Sequence, residues 1–180
     1  MRVISGTARG KALKTPEGVV TRPTADRVKE ALFSVIQFDL PGAKVLDLFG
    51  GTGQLGIEAI SRGAVSAVFV DSNKKACDLI RENLKRTNFT NKSVVVCSEA
   101  LSYLRVCKDK FNIIFLDPPY AEVFLENALK MITEIDILQS GGIIVTERPL
   151  GKELSYDFSG FNRSKDYKYG NTLLAFFRKE

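Results

Sequence analysis

An α/β fold on a mostly parallel central sheet of about seven strands, with helices on both faces, is what this sequence predicts, and three observations predict it. Short runs rich in Val, Ile, Leu and Phe recur along the 180 residues. Segments of helical periodicity separate those runs. The runs are apolar at nearly every position rather than at every second one, as strands covered on both faces are.

The elements follow in order. "RVISGTARGKAL" sets glycines between short β-like pieces and predicts a hairpin outside the main sheet, so residues 1–20 read as an N-terminal β-hairpin extension and 21–180 as a single domain. "RPTADRVKEALFSVIQF" predicts a helix, with Pro23 near its first turn, Asp26 and Glu30 early, and Val28, Ala31, Leu32 and Val35 at helical spacing. Strands are expected over 44–49, 66–71, 93–97, 111–116 and 142–147, and helices between them over 54–62, 74–86, 100–108 and 121–135. Downstream, "LSYDFSGF" and "NTLLAFFRK" read as an antiparallel pair at one sheet edge, joined by the polar "NRSKDYKYG".

Composition narrows the chemistry. There is no histidine, which removes the commonest general base, histidine-assisted Ser or Cys nucleophiles and histidine metal sites. Cys77, Cys97 and Cys107 are too far apart for CxxC chemistry and odd in number, so reduced thiols are expected and no metal. No apolar stretch reaches the length of a signal peptide or a membrane span, so the expected location is the cytoplasm. The net charge of +5 is uneven: residues 1–30 carry seven Lys or Arg against three acids and residues 148–180 seven against four, while the middle carries 12 against 14. Basic ends suit a polyanionic partner, although an ordinary solvated surface accounts for the charge equally well.

"VLDLFGGTGQLGIEAISRG" sets Gly51, Gly53 and Gly56 in GxGxxG spacing after a buried strand and before a helix, with Asp71 twenty residues beyond Gly51. Strand, tight turn, helix N-terminus and an acid at the next strand end form one device for a nucleoside-containing ligand. A dinucleotide would set its pyrophosphate against Asp47 in this loop, whereas S-adenosylmethionine offers an ammonium that a carboxylate accepts. Acids at three successive strand ends, Asp47, Asp71 and Glu99, favour the cationic sulfonium cofactor; Asp47 as a mere turn cap would leave NAD open. Gly6 to Lys11 mimics a phosphate loop, but only three residues separate its glycines and no Ser or Thr follows, which rejects a Walker A reading.

"FNIIFLDPPY" ends a buried strand on an acid, two prolines and a ring, and the prolines cannot donate to the ladder. At the edge that would hold a methyl donor, Asp117 and the carbonyl of Pro118 become acceptors for the hydrogens of an exocyclic amine, aiming its lone pair, and Tyr120 can stack on the base. Alone, "DPPY" is as well explained as a strand-ending turn.

With the glycine loop before it, the sequence resembles the class I S-adenosylmethionine-dependent methyltransferases acting on amino groups, whose motif is [DNS]PP[YFW]. Within these it is most similar to the RsmD family of 16S ribosomal RNA guanine-N2 methyltransferases, named for guanine 966. "RVISGTARGKAL", "TRPTADRVKEALFSVI", "VLDLFGGTGQLGIEAISRGA", "FLDPPY" and "KYGNT" occur in that family's order and spacing over nearly the whole chain. The glycine loop and "DPPY" alone would also fit DNA adenine-N6 enzymes, and a release-factor glutamine enzyme is similar with Asn at the first motif position.

The resemblance implies a Rossmann-like class I methyltransferase fold and S-adenosyl-L-methionine as cofactor. It implies that Asp47, Phe49, Gly51 and Gly53 line the methionine end of the cofactor, that Asp71 with Ser72 holds the ribose, and that Glu99 with Ala100 flanks the adenine. Gly50 stands where alanine is usual. On the substrate side it implies an RNA-facing surface of Arg9, Lys11, Arg22, Thr24 and Arg27, with Pro119 beside the catalytic Asp117, Pro118 and Tyr120. Arg22 and Arg27 also fit a structural role, pairing with Asp26 or Glu30. The expected partner is 16S rRNA in the assembled or nearly assembled small subunit, and the expected state a monomer. The rival readings are a DNA adenine-N6 methyltransferase, an NAD-dependent oxidoreductase and a non-catalytic RNA-binding assembly factor.

Overall fold

A computed structural model describes residues 1–16, 23–118, 121–150, 160–164 and 166–180, without the side chains of 23–25 and 121–123. Arg22, Pro119, Tyr120, the side chain of Thr24 and most of the strand expected in "LSYDFSGF" therefore lie outside the described residues.

Helix α1 (Pro23–Val35) precedes the alternating core of β1 (Lys44–Asp47), α2 (Gln54–Ser61), β2 (Ser66–Asp71), α3 (Lys74–Thr87), β3 (Ser93–Cys97), α4 (Ala100–Val106), β4 (Phe111–Leu116), α5 (Ala121–Ile135) and β5 (Leu138–Pro149). Three strands follow: β6 (Phe161–Arg163), β7 (Tyr167–Tyr169) and β8 (Thr172–Lys179). The sheet runs β3-β2-β1-β4-β5-β8-β6, with β7 also on β8. β1 to β5 are parallel, and β8 is antiparallel to β5. The chain winds outward from β1 to β3 and then returns to place β4 on the other side of β1, so the topological switch point lies between β1 and β4.

Strand alternation sorts the core into two layers. Val45, Phe69, Phe115 and Val145 face α1, α2 and α3, whereas Leu46, Val70, Leu116 and Ile144 face α4 and α5. Helix α1 gives the first layer Val28, Leu32 and Phe33, the last with its ring 5.7 Å from that of Phe115 and under the Arg62 guanidinium.

The N-terminal segment makes one antiparallel bridge, Arg2 to Ala12, and buries Val3, Ala8 and Leu13 in the α1–α3 layer. Side chains of α2 hold it. The Ile4 and Ser5 amides donate to the two oxygens of Glu58 at 2.8 and 2.9 Å, and the Ala8 amide donates to Ser61 Oγ at 3.0 Å. Gly6, at φ +84, passes so close that a Cβ would lie 1.8 Å from the Ser61 carbonyl oxygen.

Element bounds depart from expectation where the backbone turns. β1 stops at Asp47, because residues 49–53 form the loop into α2. β5 starts four residues early, with an irregular stretch in which its pairing shifts from Phe111–Leu138 to Ile113–Ile143. The polar connection "NRSKDYKYG" is no loop: it supplies β7 and part of β6, which lie end to end along β8 and bring the sheet to eight strands. Asp166 binds both Arg148, at 2.5 Å, and Arg163, and Tyr167 meets Phe176 edge-on, so partners on β5 and β8 hold these polar strands.

Candidate active site

The parallel strands bring their acids to one edge. Asp47 ends β1, Asp71 ends β2, Asp117 follows β4 and Glu147 lies near the end of β5, each two residues beyond a buried apolar residue of the α1–α3 layer. Alternation therefore sends all four toward the same side of the sheet.

The glycine loop closes around two of them. Gly51 and Gly53 both have positive φ, Gly53 caps α2, and a Cβ on Gly56 would lie 2.3 Å from the Phe69 ring. Asp47, 2% exposed, accepts a 3.0 Å hydrogen bond from the Gly56 amide through Oδ2. Asp71 accepts from the Gly51 amide at 2.9 Å and the Asn73 amide at 2.8 Å, one on each oxygen, and so ties the loop to the end of β2. Asp47 thus does cap a turn. At Gly50 a Cβ would lie 2.8 Å from the Ile80 Cδ1 tip, so this isoleucine occupies the space an alanine would need.

A cleft of about 220 Å³ opens beside this loop, and Asp47, Phe49, Gly51 and Asp117 are among the residues that line it. Burial pushes the Asp47 carboxyl up to about 7 against the Gly56 hydrogen bond, with the charges of Asp117 and Asp71 adding to the rise. Burial likewise pushes Asp117 up to about 6. Glu147 is pushed up to about 7 by burial and then by the charge of Asp117, while a hydrogen bond from the Thr172 side chain opposes the rise. A cleft whose acids resist ionisation gains from a cationic or donor-rich ligand and opposes a pyrophosphate, so the residues present fit S-adenosylmethionine better than a dinucleotide.

The remaining expected site residues are not among those that line this cleft. Ser72 is exposed after Asp71, and Glu99 is exposed at the start of α4 with Ala100 buried next to it. Pro118 is buried beside Asp117. Arg9 and Arg27 meet across a second cavity of about 280 Å³ between the N-terminal segment and α1, with Arg2, Asp26 and Glu30 on its walls. Lys11 points elsewhere, its Nζ donating to the Arg86 carbonyl at the last turn of α3.

Four contributors were not singled out from sequence. Glu147 was legible in principle, because the strand-end rule that found Asp47, Asp71 and Glu99 extends to the fifth strand. Met1 lines the cleft and accepts from Thr52 Oγ1 through its sulfur at 3.4 Å. Asn83 on α3 accepts from the Lys14 amide at 2.7 Å and donates to the Lys14 and Thr52 carbonyls, which couples the end of the N-terminal segment to the glycine loop. Glu58, fully buried, joins Lys29 and Arg62 beneath that segment. The last three contacts link residues far apart in the chain, and no local pattern announces them.

The chain is similar to known proteins over its full length. "Putative rRNA methyltransferase YlbH" of Bacillus subtilis is 40% identical over 182 residues, which is 99% of either chain. Ribosomal RNA small subunit methyltransferase D of Escherichia coli is 29% identical over 180 residues, covering all of this chain and 90% of its own. A solved structure, "Putative methyltransferase yhhF" from Escherichia coli, superposes with a TM-score of 0.90 at 27% identity over all of this chain and 98% of that one. The family described as "Conserved hypothetical protein 95" matches residues 1–178, and the chain belongs to it, the RsmD family.

Proposed function

We propose that the protein transfers a methyl group from S-adenosylmethionine to the exocyclic N2 amine of one guanine, guanine 966 by the family's naming, in the 16S rRNA of the small ribosomal subunit. The observation that carries this reading is the cleft at the switch point, where the glycine loop and Asp47 adjoin Asp117. Full-length similarity to proteins named as rRNA methyltransferases supports RNA over DNA as the polymer.

When bound, the cofactor supplies an electrophilic methyl carried by a sulfonium. Asp47, Phe49, Gly51 and Gly53 would hold its amino-acid end, Asp71 and Ser72 its ribose, and Glu99 and Ala100 its adenine. Asp117 and the Pro118 carbonyl accept the two amine hydrogens, which turns the nitrogen lone pair away from the ring system and toward the reacting carbon. Asp117 would also take the proton that the amine sheds after transfer, a role that a carboxyl raised to about 6 supports. Tyr120 and Pro119 would fix the base plane. Arg9, Lys11, Arg22, Thr24 and Arg27 would contact RNA phosphates, in a small subunit assembled far enough to present the base.

A tritiated methyl-transfer assay into small subunits lacking this modification, followed by nucleoside digestion, tests the reading. N2-methylguanosine in the 16S strand is the expected product. Labelled N6-methyladenine in DNA, with none in RNA, would transfer the same chemistry to the rival polymer.

A further inference from the structure

Glu147 has no task in the reading above, yet its setting is unlike that of an acid kept for the fold. Leu116 of β4 pairs in register with Thr146 of β5, so Glu147 stands beside Asp117 on the neighbouring strand, about 4.8 Å away between backbones. Phe115 and Val145, two residues earlier, lie in the same core layer, so both carboxylates extend from the same face. Among the described residues no Lys or Arg forms an ion pair with Glu147; its partner is the Thr172 hydroxyl. Glu58, a structural acid of this fold, contrasts with it in being held by both Lys29 and Arg62.

Two adjacent carboxylates with no cation paired to Glu147 among the described residues repel each other, and neighbouring hydrogen-bond donors relieve that repulsion. Guanine is the base that presents N–H donors at two adjacent positions of its Watson–Crick edge, N1 and the N2 amine. Adenine places an acceptor at N1, next to its amine.

We propose that Glu147 selects guanine, its carboxylate accepting the N1–H of the acceptor base while Asp117 and the Pro118 carbonyl take the N2 amine. The proposal rests on the guanine-N2 reading of the site and assigns the base preference to a residue outside the "DPPY" motif. Burial and the Asp117 charge raise the cost of an unpaired Glu147 carboxylate, which sharpens the penalty for a base that offers it an acceptor.

The test compares small subunits carrying either guanosine or 2,6-diaminopurine riboside at the acceptor position. Diaminopurine keeps the 2-amine but makes N1 an acceptor. Glu147→Gln replaces a pure acceptor by a group able to donate to N1. For this variant kcat/KM on guanine is expected to fall about tenfold to hundredfold, and the ratio of diaminopurine to guanine turnover to rise at least about tenfold, with cofactor affinity unchanged. Glu147→Ser is the second variant, with the same expected loss on guanine. Equal losses on both bases, unaltered kcat/KM, or loss of cofactor binding in both variants would overturn the role. No methylation of guanine by the unaltered enzyme would instead overturn the functional reading beneath it.

Discussion

At the scale of single residues, the site depends on acids placed where ionisation is difficult. In the proposed reaction Asp117 accepts amine hydrogens most strongly as a carboxylate, and Asp47 and Glu147 are expected to act in the same ionised form. With carboxyls raised to about 6 and about 7, kcat/KM is expected to climb as pH rises through that window and to level off above it. A profile flat from pH 5 to 8 would show that these acids do not govern turnover. Asp117→Ala removes the acceptor altogether, and is expected to lower kcat about a hundredfold or more while leaving cofactor affinity intact, as isothermal titration would show. The acids at β1, β2 and β4 were legible because each closes a strand before a turn, a position that a short sequence window displays. The raised carboxyls of Asp47 and Asp117 were not, because burial arises only when distant segments fold around them.

At the scale of elements, the N-terminal segment is joined to α2 by charges that have left water. Lys29, 3% exposed, donates to the Arg2 carbonyl at 2.7 Å and lies 3.4 Å from Glu58, and burial lowers its pKa despite that partner. Glu58→Ala strands this lysine and two backbone amides, so a loss of about 3–5 kcal/mol is expected by urea denaturation. Gly6→Ala is expected to be as damaging, because both the φ and the Ser61 carbonyl exclude a side chain. A loss below about 1 kcal/mol in both would mean that the segment is not part of the cooperative core. The hairpin was expected from its glycines and β-like pieces, but its embedding was hidden: Val3, Ala8 and Leu13 look like any short apolar set until Glu58 and Ser61 are seen to hold them. β6 and β7 were hidden for a similar reason, since polar residues enter a sheet when Arg148 and Phe176 await them from other strands. On the same segment Arg9 and Lys11 diverge, toward α1 and α3 respectively. Exchanging both for alanine is expected to weaken RNA binding and flatten its salt dependence, by a slope of about 1 for each phosphate no longer neutralised, as binding at several potassium concentrations would measure.

At the scale of the whole molecule, stability and ligand binding are linked through pH. A carboxyl whose pKa is raised by folding holds its proton more tightly in the folded than in the unfolded chain. Stability from Asp47, Asp117 and Glu147 is therefore greatest below the ordinary carboxyl range of about 4 and declines as pH rises toward about 7. Asp136, held near 2 by Lys110 and Lys179, acts in the opposite sense and loses its contribution only as pH falls toward 2. The ligand-free protein is thus expected to melt at a lower temperature at pH 8 than at pH 5, with Asp47→Asn narrowing the gap. S-adenosylmethionine is expected to raise the melting temperature more at pH 8, where the acids it neutralises are charged. Differential scanning calorimetry at both pH values would read this, and an equal shift at both would detach Asp47 from the ligand's charge. The parallel order of β1 to β5 was legible from alternation alone, and with it the edge where the acids gather.

The contacts that seat the N-terminal segment also set the order in which the molecule can be built. Ile4 and Ser5 wait for a glutamate 54 and 53 positions later, and Lys14 waits for an asparagine 69 positions later. These residues are made before their partners and can dock only after α2 and α3 have been synthesised, which makes their seating a matter of closing long loops. A nascent chain stalled before residue 83 would carry a glycine loop still missing the strut that joins it to Lys14.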